Sequence, residues 1–133
     1  MGDRLSFNQF QSSIAHTWRS LGNLKEALAI YSKTILFWQE INHQGAVAHQ
    51  LECFAFIAMP QEQGERAVKL LSAAEALREF CDSPMTPTER VEYDRVIAEL
   101  RAGMDEMDFT QLGTEGHSLT MEQAVQFALE EKV

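Results

Sequence analysis

Basic residues, proline, cysteine and long apolar runs are the features this sequence has least of. Lysine and arginine total 11 against 20 aspartates and glutamates, a formal charge of −9. A chain so poor in positive charge has no basic face for phosphates, which argues against direct nucleic-acid binding and against anionic membrane surfaces. Proline occurs only at Pro60, Pro84 and Pro87, and β-branched runs are absent, so nothing punctuates the chain into short strands. The two cysteines, Cys53 and Cys81, stand in helix-like segments with no paired framework, the pattern of reduced thiols rather than of a disulfide scaffold. No apolar run approaches the roughly 20 residues needed to span a bilayer. The start, MGDRLSFNQF, lacks a signal-peptide pattern. These absences together predict a soluble, cytoplasmic protein without membrane contact.

What the sequence does have is apolar content, 45% over 133 residues, enough for one compact core. Most of it recurs at helical spacing. A first helix is expected after Ser6, which with Gln9 forms a capping-box pattern, and it runs to Leu21 before Gly22 and Asn23 turn the chain. A second carries Leu24, Ala27, Leu28, Tyr31, Ile35 and Trp38. A third, from about Ala46 to Met59, is apolar nearly all round and should be the most buried. A fourth follows from Glu65 to Phe80. Cys81 to Met85 is the clearest break, after which Thr86, Pro87 and Glu89 signal the start of a fifth helix. A short sixth around Met107 to Leu112 stops at Gly113 or Gly116. A seventh starts after Thr120, where Gln123 completes another capping box. The expected fold is all-α with about seven helices: two hairpins over residues 1–80 and a three-helix cap over 81–133, in one compact domain.

The segment Leu21-Gly22-Asn23-Leu24-Lys25-Glu26-Ala27-Leu28-Ala29-Ile30-Tyr31 resembles the turn and second helix of a tetratricopeptide repeat. Gly22 permits the tight turn, Ala27 lets two helices approach opposite Ala15, and Tyr31 fills the gap below. A second unit repeats this with Ala55, Ala67, Leu71 and Ala74, but Glu62 stands in the usual glycine place. Ala27 and Ala67 are forty residues apart, longer than the usual period of roughly 34. The extra length is expected in the second helix and in the linker from Ile41 to Gly45.

The run Glu65-Arg66-Ala67-Val68-Lys69-Leu70-Leu71-Ser72-Ala73-Ala74-Glu75-Ala76-Leu77-Arg78 resembles a segment near the end of large bacterial regulators, the STAND-type signalling ATPases and LuxR-type transcriptional regulators. Pro84 to Tyr93, Phe109, and Gly116 to Ala124 (GHSLTMEQA) extend the likeness. The resemblance implies the C-terminal tetratricopeptide-like superhelix of such a protein, excised or encoded alone. It implies a module that binds a protein, a peptide, an effector, or regulatory domains of the same larger polypeptide. A free-standing small acidic adaptor or chaperone is the alternative.

No enzyme or cofactor signature is visible: phosphate-binding glycine loop, acidic metal-binding strand and basic recognition helix are all missing. His49 and Cys53 share a helical face, but no third group is evident to orient them, which favours packing over catalysis. His16, His43, His49 and His117 show no metal-ligand spacing with either cysteine. The carboxylates Glu89, Glu92, Asp94, Asp105, Glu106 and Asp108 read as a solvated helix face, and Trp18 and Trp38 as packing residues. The repeat geometry instead points to a concave groove. Transferred to this chain, it places Gln9, Ser12, His16 and Arg19 on one wall and His49, Glu52, Phe56 and Met59 on the next. Such a wall suits a peptide partner, unless helices five to seven, or neighbouring repeats, fold across it. Phe7, Phe10 and Ile14 on the first hairpin leave an apolar face through which a homodimer could form.

Overall fold

The computed structural model describes residues 2–130, which are helical throughout apart from short turns. Seven α-helices follow one another: α1 (Gly2–Ser20), α2 (Leu24–Glu40), α3 (Gln44–Ala58), α4 (Gly64–Cys81), α5 (Pro87–Gly103), α6 (Glu106–His117) and α7 (Met121–Leu129). A single 3-10 turn, Met59–Gln61, extends α3. No helix among the described residues is long and apolar enough to cross a membrane.

The corners between the first helices obey one rule. Gly22, Asn42, Glu62 and Asp82 all take positive φ, at 83°, 57°, 59° and 53°, and they lie twenty residues apart. Each corner carries the same pair of backbone bonds. Gly22 N–H donates to Arg19 and Asn23 N–H to Trp18, and the pattern repeats at Asn42 and His43, Glu62 and Gln63, and Asp82 and Ser83. These are Schellman-type helix ends, in which one left-handed residue satisfies the orphan carbonyls. Three of the four corner residues carry a side chain, at a cost of about 1–2 kcal/mol relative to glycine. Asn and Asp tolerate the left-handed region better than Glu does, so Glu62 is the most strained of them.

Behind the corners, small residues let the helices cross closely. Ala15, Ala27, Ala55, Ala67 and Ala74 are fully buried, and Tyr31 and Leu71 fill equivalent gaps forty residues apart. α3 packs between α2 and α4 and contributes the largest share of the core, from Val47 through Leu51 and Phe54 to Ala58. α6 lies along α4, and α7 closes the far side of α2, α3 and α4 with Ala124, Val125 and Ala128. α5 is attached most lightly, burying little beyond Val96 and Leu100. Trp38 is buried and Trp18 half-buried, as packing residues.

Two helix ends differ from the sequence reading. α1 is already formed at Gly2, so Ser6 and Gln9 sit within it and make no capping box. α6 continues through Gly113 and Gly116 to His117. A Cβ on Gly116 would lie 2.3 Å from the Lys69 carbonyl oxygen of α4. That glycine exists to bring two helices together, not to end one. The capping boxes at Thr86/Glu89 and Thr120/Gln123 are both formed. The additional residues of the forty-residue period are taken up by helix as well as by linker: α2 reaches Glu40, and α3 resumes at Gln44 with His43 Nδ1 accepting from the Ala46 N–H. Phe7 and Phe10 are 59% and 65% exposed on α1, while Ile14 is half-buried.

Candidate functional site

Side chains of α1 and α3 meet on the inner face of the hairpins, and α5 reaches that face with Glu89 and Glu92. His49 and Cys53 are one helical turn apart on α3, and His16 projects towards them from α1. Cys53 Sγ lies 3.9 Å from His49 Nε2 and 4.0 Å from His16 Nδ1. The two imidazole rings meet edge to face at 5.2 Å between centroids. His16 Nδ1 also shares a short hydrogen bond with the Tyr31 hydroxyl from α2. Cys53 is completely buried, while both histidines are part-exposed.

A second layer of charge surrounds this centre. Glu52, 1% exposed, accepts from Arg78 Nε at 2.7 Å and Nη2 at 3.0 Å, a forked ion pair that ties α3 to α4. The third nitrogen, Nη1, donates to the Ser83 carbonyl at 3.1 Å, just past the Asp82 corner. From α5, Glu89 uses its two oxygens separately. Oε1 accepts from the Thr86 N–H at 2.8 Å and completes the helix cap. Oε2 lies 2.8 Å from His49 Nδ1, off the line of its N–H, and 3.6 Å from Arg78 Nη2. One turn on, Glu92 accepts from Arg19 Nη1 at 2.8 Å, and that guanidinium sits 5.2 Å over the Phe56 ring.

The electrostatic consequence is a set of mutually stabilised charges. Burial would raise the Cys53 thiol, but the hydrogen bonds and charges of His16 and His49 outweigh it and lower its pKa. Burial works against charge on His49 as well, yet contacts with Cys53 and Glu52 and the charge of Glu89 push it up to about 10. Desolvation opposes ionisation of Glu89, and its Thr86 backbone bond with the charges of His49 and Arg78 brings it below the ordinary carboxylate range. The arrangement can hold a thiolate against imidazolium, or offer one sulfur and two ring nitrogens to a metal ion.

Of the eight residues placed on the concave face by the repeat geometry, five meet in this network: His16, Arg19, His49, Glu52 and Phe56. Ser12 accepts instead from Gln50 Nε2 at 2.8 Å, in a polar seam that Thr34 completes. Gln9 is exposed and takes no part, and Met59 is half-buried where α3 passes into its 3-10 turn. Two readings need correction. The solvated-face account holds for Asp94, Asp105, Glu106 and Asp108, which are exposed, but Glu89 and Glu92 turn inward. His49 and Cys53 also do not lack further partners, because His16 and Glu89 reach them from 37 residues upstream of Cys53 and from the next domain segment. Spacing along α3 could not reveal groups carried by α1 and α5. The inward contacts of Arg78 and Glu89 are equally hidden, since locally one reads as a surface charge and the other as a helix cap. Comparison with protein-family models, curated proteins and solved structures gives no match, so a functional reading rests on these residues.

Proposed function

We propose that this chain is a protein-interaction module whose hairpins present a concave face for a helical segment, with no catalysis of its own. The observation that carries this reading is that the face already takes two carboxylates of one helix in cis. α5 packs on α4 and α6, and two of its carboxylates, Glu89 and Glu92, reach His49, Arg78 and Arg19 on the face. Such partly exposed ion pairs each contribute on the order of 1 kcal/mol. With so little apolar burial beneath α5, an external acidic helix presenting carboxylates at i and i+3 can compete with it. The setting we infer is the superhelical region of a bacterial signalling ATPase or LuxR-type transcriptional regulator. Support for it comes from the runs Glu65 to Arg78 and Gly116 to Ala124. In that setting, an effector or partner that binds one arrangement of α5 better than the other shifts the population, and an output domain reads the change.

A labelled peptide of residues 86–104 tests the reading by fluorescence anisotropy. Removing both carboxylates from the intact chain, Glu89→Ala with Glu92→Ala, weakens the cis helix and leaves the basic wall intact. The peptide then binds this variant at least about tenfold more tightly than it binds the unaltered chain, equivalent to about 1.4 kcal/mol. Absence of binding to either protein would overturn the proposal.

A further inference from the structure

We propose that His16, His49 and Cys53 form a site for a divalent transition metal of the zinc class, beneath α5. Two imidazole nitrogens and a thiolate are the donors such borderline-soft ions prefer. One ring nitrogen from each histidine and Cys53 Sγ all lie within 4.8 Å of one another. Zinc bonds of about 2.0–2.1 Å to nitrogen and 2.3 Å to sulfur give a nitrogen-to-sulfur edge of roughly 3.6 Å in a tetrahedron. The observed separations of 3.9 and 4.0 Å need to close by only a few tenths of an ångström. That closure is within the reach of side-chain torsions.

Three further features fit a ligand set better than a packed cysteine. A structural buried cysteine lies among apolar groups, whereas this one is faced by rings from two helices. Glu89 Oε2 lies 2.8 Å from His49 Nδ1, off the line of its N–H, so its charge faces the ring nitrogen opposite the one that meets the sulfur. A small rotation of the ring or the carboxyl group would form that hydrogen bond, the usual outer-shell arrangement behind a ligating histidine. The part-exposed imidazoles also give an ion a route in from the groove, although the sulfur itself is buried. Metal uptake replaces the Tyr31 contact at His16 Nδ1. The protons displaced from the thiol and the imidazoles pass to solvent.

The other grouping of ligand types among the described residues, Glu75, Glu79 and His117, is exposed and supplies no sulfur. It therefore serves as an internal control. The experiment is a Co²⁺ titration of the intact, chelator-treated, reduced chain, followed by Zn²⁺ displacement. One equivalent of Co²⁺ is expected to give a thiolate-to-cobalt charge-transfer band and intensified visible bands of four-coordinate cobalt. Zn²⁺ then bleaches them. Cys53→Ser and His49→Ala abolish the charge-transfer band, whereas Cys81→Ser and His117→Ala leave it. Glu89→Gln, at a positioning residue, weakens Co²⁺ binding by about 10–100-fold without removing the band. A wild-type chain with no such band overturns the proposal whatever the variants do. So does a band that persists in Cys53→Ser or follows His117. None of these readouts requires a peptide partner, so failure here is separate from failure of the interaction reading.

Discussion

Replacing Arg78 by methionine should be among the most damaging single changes in this protein. Its guanidinium makes three hydrogen bonds at once, two to Glu52 and one to the Ser83 carbonyl. Glu52 is 1% exposed, and Arg78 is its hydrogen-bonding partner. Taking the arginine away strands a carboxylate in the α3–α4 interface, for which the cost is about 3–5 kcal/mol. His49 Nδ1, 3.7 Å from Glu52, is too distant to replace two charge-assisted bonds. Against a typical total of about 5–15 kcal/mol, the loss is a large fraction of stability. The double variant Glu52→Leu with Arg78→Met removes both charges and keeps the volume, so it should cost less than Arg78→Met alone. Urea unfolding of the four proteins, followed by far-ultraviolet circular dichroism, closes the cycle. A coupling of about 2 kcal/mol or more is expected. If Arg78→Met costs under about 1 kcal/mol and the two changes simply add, the pair is not a buried one and this account of the site floor is wrong.

The glycines of α6 make a matched pair. Gly116→Ala drives a Cβ into the Lys69 backbone at 2.3 Å and should destabilise by about 1–3 kcal/mol. Gly113→Ala meets the movable Ser72 hydroxyl at 3.4 Å and should be neutral or stabilising by up to about 1 kcal/mol, since alanine is the better helix former. Thermal melts that rank the two in the opposite order would refute the helix-crossing assignment. Glu62→Gly relieves a left-handed side-chain residue at φ 59° and should raise stability by up to about 1 kcal/mol. Asn42→Gly should gain less, because asparagine already tolerates that conformation, and equal gains in urea midpoints would contradict the ranking.

Much of the fold is legible in the sequence because it depends on local chemistry. The periodic apolar residues, the Thr86 and Thr120 caps and the alanines at the crossing points each announce their role within a few residues. Gly116 misleads for the opposite reason: read locally it ends a helix, and only the proximity of α4 shows otherwise. The candidate site is legible in half. The wall residues follow from repeat geometry, so His16, Arg19, His49, Glu52 and Phe56 could be placed on a common face. Their partners could not, because Glu89 and Glu92 arrive on α5 from a distance no periodicity records. Cys53 looks inert from its own helix and becomes chemically distinctive only when His16 is brought alongside it.

The corners spaced twenty residues apart also constrain how the chain can change length. Deleting one residue from α3 ahead of His49 would rotate everything after it by about 100° about the helix axis. His49 and Cys53 would then leave the inner face together, while Glu62 would carry the mismatch on to the next corner. Removal of a whole turn would shorten the helix yet keep its face. Viable insertions and deletions within the hairpins should therefore come in groups of three or four residues. Single-residue changes belong at Pro84 and Met85, between the Asp82–Ser83 corner and the Thr86 cap, where no helix phase has to be kept.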